Sequence, residues 1–283
     1  DIKENIKEKI DNMDFKEFCS KHYMLNYERE FKRLEDIREV QRERDAQRIS
    51  IMNTSIECFR RYPDANPSDI WNTLYKAHVY RKSGLKIEDK IMVKSVISAD
   101  QSWKKASGHA FEQMIKKITK TELKNRKINI YLQKEVTVLI RNNALANFPQ
   151  DIEWISNKLG SDVFDLYCTV TNETGEYLFG CIQAKASIRD RVTRDREPSL
   201  EAMGKFFWSV AIVLDGDFLA LPKFQHMVAG GSSDYSQNGW HGMYVFTPIG
   251  TYERIYHTDR GLSFFCRHAE IASDFWLEQR TWF

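Results

Sequence analysis

The feature that most constrains this chain is the stretch DVFDLYCTVTNETGEYLFGCIQAK, residues 162–185, in which two apolar runs flank a short polar turn. Apolar runs of this length, bounded by Asn and Gly, read as buried strands, and two of them around a tight turn read as a β-hairpin. The neighbouring segments supply the rest of an α/β pattern. INIYL, VTVLI, SVAIVL and GMYVFT are expected as further strands, NFPQDIEWISNKLG as a loop and short helix, SLEAMGKFF as a helix, and LPKFQHMV as a further segment.

The turn sets the register, and the register decides which side chains meet. Closing the hairpin around Thr174 with a type I turn and glycine bulge puts Asn172 opposite Glu176. Partners whose numbers sum to 348 then face one another, so Gln183 faces Asp165 and Lys185 faces Val163. Side chains alternate, which places Phe164, Leu166, Cys168, Val170, Leu178, Ile182 and Ala184 on one apolar face. The other face carries Asp165, Gln183 and Lys185 at the end far from the turn, where a carboxylate and an ammonium can converge. Asp162 falls on the opposite side unless a bulge intervenes. An exposed pair of this kind contributes only about 0–1 kcal/mol, whereas a phosphodiester hydrolase needs the same groups to hold a divalent cation and steady water.

Before the hairpin the chain is different in kind. Residues 1–100 are poor in glycine and rich in charge, with Tyr27, Phe31, Leu34, Ile37 and Val40 at helical spacing. NPSDIW has the form of a helix start. A helix over SADQSWKKASGHAFEQMIKKITKTEL should bury Phe111, Met114, Ile115 and Ile118. The expected fold is therefore α/β (α+β): a mixed central sheet flanked by helices in residues 101–283, and a helical N-terminal domain in 1–100.

Lys and Arg number 42 against 40 Asp and Glu, so no global field advertises a polyanionic partner and any anion-binding surface must be local. Five widely spaced cysteines form no zinc-ligand pattern or disulfide framework, as expected for a reducing cytoplasm. Nor do the seven histidines show metal spacing. No apolar run reaches the ~20 residues of a membrane span, and DIKENIKEKI is too charged for a secretory signal. The chain opens on Asp rather than Met, and one or more preceding residues are expected. The loop VAGGSSDYSQNGWHG has glycines but no phosphate-binding lysine after them, and reads as flexible, able to meet DNA.

A dense charge cluster follows the hairpin directly, in KASIRDRVTRDREPS. An acidic residue opening one strand and x-x-Lys closing the next resembles the PD-(D/E)XK nucleases, here SDVFD and QAK. Lysine, three residues, then Arg-Asp-Arg is similar to the signature of type II restriction endonucleases that read a CCGG or CCNGG core. The resemblance spans about residues 105–215. It implies that Lys185 is the catalytic lysine and that Asp165 or Asp162 binds metal; the strand-face argument favours Asp165, and SD in place of PD favours Asp162. Gln183 departs from the pattern, since many nucleases of this fold carry Glu there. In the CCGG group a helix beyond the lysine supplies the missing carboxylate, which points to Glu197 or, failing that, Glu201, with Glu112 as a further acid on the preceding helix.

Guanine presents O6 and N7 to the planar fork of arginine, and cytosine N4 needs an acceptor. Arg189, Asp190 and Arg191 hold both halves of that code, while Arg194 and Arg196 read as phosphate contacts or structural ion pairs. The resemblance further implies Mg²⁺ as cofactor, a homodimer on a palindromic duplex, a cut before the first C with a 5′ overhang, and a bacterial cytoplasmic setting. Two other functions fit the same residues: a repair or junction nuclease without sequence specificity, and a noncatalytic DNA-binding or interaction module.

Overall fold

A computed structural model describes residues 13–84, 90–161, 163–187, 192–250 and 252–278, with the side chains of 90–94 and 187 left aside. Two compact units divide at Met114/Ile115, inside a long helix.

The first unit contains α1 (Phe15–Arg33), α2 (Glu39–Arg61), α3 (Pro67–Ser83) and most of α4 (Lys90–Lys124). The helix start foreseen at NPSDIW is present: Asn66 accepts the Ser68 N–H at 2.9 Å, Pro67 opens the helix, and Gly84 closes it at φ 62°. The apolar stripe from Tyr27 does not continue as one helix. It stops at Leu34, and Ile37 and Val40 are exposed. Arg42 donates to the Phe31 carbonyl at 2.5 Å and stacks on its ring, so the last turn of α1 is capped by the next helix. Cys19 and Cys58, expected as thiols, meet across α1 and α2 as a disulfide, while Cys168, Cys181 and Cys266 are buried thiols.

A polar thread runs through this core. Tyr23 donates its hydroxyl to His78 Nδ1 at 2.8 Å, and His78 Nε2 donates to the Ala99 carbonyl at 3.0 Å. Burial first, and Arg81 second, lower the His78 pKa to about 4. The unfolded chain therefore binds the proton between about pH 6.5 and 4 while the folded one does not, and stability must fall as pH is lowered through that window. Thermal melts should show this slope, and His78→Gln should lessen it, the remainder coming from His241, whose pKa burial lowers to about 3; an unchanged slope in the variant would refute the assignment.

The second unit is built on a six-stranded mixed sheet in the order β1 to β6: β1 (Ile128–Leu132), β2 (Leu166–Asn172), β3 (Gly175–Ser187), β4 (Trp208–Asp215), β5 (Gly242–Val245) and β6 (Ile255–His257). The first three strands are antiparallel and the last three extend β3 in parallel. Helices α5 (Gln133–Arg141), α6 (Pro149–Lys158), α7 (Val192–Gly204), α8 (Pro222–Ala229) and α9 (Ser263–Glu278) complete it.

VTVLI, expected as a strand, is part of α5. Val136, Leu139 and Ile140 recur at helical spacing, and the Glu135 carboxylate accepts the Leu132 N–H at 2.8 Å, so the period and the cap override the preference of β-branched residues for strands.

The hairpin closes one residue tighter than expected. Asn172 pairs with Gly175 rather than Glu176, with its side chain accepting the Thr174 and Gly175 N–H groups. A bulge then shifts the register between Cys168 and Thr169, leaving Phe179 opposite no partner and restoring the sum of 348 from Cys168↔Gly180 onward. Gly180 suits this close approach, because a Cβ would sit 3.0 Å from that of Cys168 and 3.2 Å from the Trp208 ring, so both neighbours would have to give way.

Both faces of the hairpin are buried, not one. Tyr167, Leu178 and Cys181 pack with Val136, Ile155, Ala202 and Phe207 of the α5–α7 layer. On the other side Trp208 stacks on Phe265 of α9, which Tyr244 meets edge-on. Phe164 joins the first layer rather than the face of Leu166 and Cys168, since it precedes the strand and escapes its alternation.

Candidate active site

The end of the hairpin far from its turn holds the acid and the ammonium that register predicted. Asp165 is tied to β3 through its own N–H, which donates to the Ile182 carbonyl at 2.9 Å. Its Oδ2 accepts the Ala184 N–H and the Lys185 Nζ, both at 2.8 Å. The two side chains are only 14% and 12% exposed, so the pair sits in a low-dielectric mouth where its Coulombic attraction is far stronger than at the surface. Two donors on one oxygen fix the carboxylate's orientation.

Helix α7 follows β3 and carries the other acids. Its sheet-facing stripe is Val192, Asp195, Ser199 and Ala202, all buried. Ser199 and Ser209 hydroxyls meet at 2.7 Å, holding α7 to β4. Glu197 lies on the exposed side. Glu201 is engaged by α6, accepting from Trp154 Nε1 at 2.8 Å and Lys158 Nζ at 2.6 Å. The acid of this helix that faces the strand bearing Lys185 is therefore Asp195, whose carbonyl accepts the Gln183 side-chain amide at 2.8 Å. Sequence reading passed over Asp195 because it looked like one more charge in an Arg-rich run; counting three and four residues from Val192 and Ser199 puts it on the buried stripe.

Arg196 does not project freely. Its guanidinium donates to the Met227 carbonyl at 3.0 Å and the Gln237 carbonyl at 2.6 Å and lies 5.3 Å from the Tyr235 ring centroid. It is a structural clamp on the 230–239 loop. Arg194 is exposed, 3.6 Å from the Asp195 carboxylate. Glu112 belongs to the first unit, where it lies 3.4 Å from His109. Asp162, Arg189, Asp190 and Arg191 lie outside the described residues.

An acid opening one strand of an antiparallel pair, a lysine ending the next, a parallel extension of that strand and flanking helices together define the restriction-endonuclease class of nuclease fold. Comparison with known proteins gives the family. The profile of the BsaWI restriction endonuclease type 2 family matches residues 145–275. A solved structure described as a pre-specific BsaWI–DNA complex is 49% identical, covers 95% of this chain and 96% of its own, and superposes with a TM-score of 0.67. This chain belongs to the BsaWI family of type II restriction endonucleases, and is by that membership a site-specific deoxyribonuclease. A specific complex of AgeI with DNA, 20% identical over 80% of this chain and 84% of its own with a TM-score of 0.57, shows the same fold. No curated protein sequence matches the chain.

Proposed function

We propose that the protein cleaves double-stranded DNA at sites with a CCGG core, using Asp165 and Lys185 as the centre of hydrolysis and residues 189–191 to read the C:G pairs. The observation that carries this reading is the 2.8 Å Lys185–Asp165 contact at the mouth of the sheet, four residues before the Arg-Asp-Arg segment. Restriction endonucleases generally work with a divalent metal ion. Among the described residues no three acids, histidines or cysteines cluster as a complete cage. Mg²⁺ keeps several waters and takes one or two carboxylates together with a substrate phosphate.

Asp165 supplies one such carboxylate. For the second, the buried face of α7 favours Asp195, with Glu197 as the exposed alternative. When bound, the ion would polarise the scissile phosphate and lower the pKa of water. Lys185, held by Asp165, would orient the attacking water and offset charge on the phosphate oxygens. Asp195→Asn is expected to cut cleavage by roughly 100-fold and Glu197→Gln by less than threefold; the reverse order would return the role to Glu197.

A palindromic core is matched by a two-fold dimer, so the active species is proposed to be a homodimer, with the helical unit supplying dimerisation and outer phosphate contacts. The helices offer no segment long and apolar enough to cross a membrane among the described residues, and action on DNA in the bacterial cytoplasm completes the proposal. Digestion of a DNA of known sequence with Mg²⁺ and mapping of the ends tests it. Discrete fragments whose 5′ ends begin with CCGG are expected; a smear, or cutting only at branched structures, would indicate a repair nuclease instead.

A further inference from the structure

We propose that Gln183 is a positioning residue that couples the seating of α7 on DNA to the placement of the catalytic lysine; the inference rests on the reading of Asp165 and Lys185 given above. Gln183 stands where many nucleases of this fold carry a metal-binding carboxylate, yet its side chain is fully buried and wholly used in other work. Its NH₂ donates to the Asp195 carbonyl of α7 at 2.8 Å, and its carbonyl accepts the Trp240 indole N–H at 2.7 Å. Trp240 is itself fully buried, and its own carbonyl accepts the Asn238 amide at 2.9 Å. One planar amide thus joins the catalytic strand, the helix that follows the DNA-reading segment, and the end of the loop clamped by Arg196.

The attachment point is built into α7. Pro198 lies inside the helix, where it has no N–H to give the Arg194 carbonyl and its ring crowds that turn. The next carbonyl, that of Asp195, is the one Gln183 engages from outside the helix. A glutamate at 183 would keep the bond from Trp240 but, ionised, could not donate to this carbonyl. The requirement is for a donor and an acceptor on one rigid group, which explains amide in place of acid. Because side chains alternate, Gln183 and Lys185 share a face of β3, so a shift of the first turn of α7 is felt two residues from the lysine.

The test separates binding from chemistry. Affinity for a CCGG duplex is measured with Ca²⁺ in place of Mg²⁺, and single-turnover cleavage with Mg²⁺. Gln183→Leu is expected to bind within about threefold of the parent and to cleave at least about 30-fold more slowly, since a misplacement of an ångström costs that much or more. A folded Gln183→Leu enzyme cleaving within threefold of the parent would overturn the inference. Should that variant fail to fold, Trp240→Phe decides: it removes the indole N–H that holds the Gln183 carbonyl, so cleavage should slow at least about tenfold with binding kept, and cleavage within threefold of the parent would overturn the inference. Lys185→Ala run alongside must slow cleavage by roughly 100-fold or more; full activity there would sink the underlying site assignment instead.

Discussion

Lys185→Ala is expected to slow single-turnover cleavage by roughly 100- to 1,000-fold while leaving affinity for the CCGG duplex within a few-fold of the parent. The expectation follows from placement. The ammonium lies 2.8 Å from the Asp165 carboxylate and is 12% exposed, at the end of a strand packed on both faces. It therefore lies largely shielded from solvent, where a charge aimed at a developing negative phosphate would be worth most. Asp165→Asn should lose as much, because the amide keeps the size of the carboxylate and one oxygen able to accept from Ala184 N–H and Lys185 Nζ, but it loses the charge and replaces the other oxygen with an NH₂ that cannot bind a metal ion. Both variants should stay folded, with thermal midpoints lowered by a few degrees as a buried partner is lost. Rates within threefold of the parent for either variant would remove the pair from the chemistry.

The second large effect concerns reading rather than cutting. Arg189→Ala is expected to weaken binding to the cognate duplex by roughly 10- to 100-fold, at about 1–3 kcal/mol for each bidentate contact with guanine, and to leave binding to unrelated DNA nearly unchanged. Asp190→Ala should likewise erode discrimination, and it should raise rather than lower nonspecific affinity, since a carboxylate beside the backbone repels phosphate. Gel shifts on duplexes with and without CCGG in Ca²⁺ measure both. An equal loss on the two duplexes would reassign Arg189 to the phosphate backbone. Arg196→Ala should behave differently from either: its bonds go to Met227 and Gln237 carbonyls, so its loss should loosen the 230–239 loop and lower stability.

The meeting of Asp165 and Lys185 was legible in the sequence because period-two alternation and the register sum apply where the strands pair regularly. The sum of 348 holds from Cys168 to Leu166, next to the site, even though the turn is one residue tighter than Thr174-centred closure demands. Two errors cancelled: the shorter loop moved the register by one, and the bulge opposite Phe179 moved it back. A bulge leaves no composition signal in so apolar a run, and only the close approach at Gly180 marks it. The same apolarity hid the second buried face. VTVLI misled because β-branched residues fit a strand locally, whereas Glu135 and the 136/139/140 spacing settle it as helix through contacts that propensity does not contain.

Acidic residues of α7 were harder still. A glutamate a dozen residues past the lysine satisfied the family spacing, yet burial depends on the phase of a helix that begins before Pro198 rather than at Ser199. Starting it at Val192 turns Asp195 toward the sheet and Glu197 toward solvent. Gln183 was noticed only as a departure from pattern. Its meaning required the positions of Trp240 and Asp195, distant in sequence and adjacent in space.

The position of the metal decides whether Asp165 is at the centre of hydrolysis. Replacing Mg²⁺ by Fe²⁺ and adding ascorbate and peroxide generates hydroxyl radicals at the bound ion, which cut the polypeptide beside its ligands. With a CCGG duplex present, chain breaks are expected at residue 165 and around residue 195, suppressed by excess Mg²⁺ and absent in Asp165→Asn. Iron-dependent breaks that spare residue 165, or that survive in Asp165→Asn, would contradict that role for Asp165.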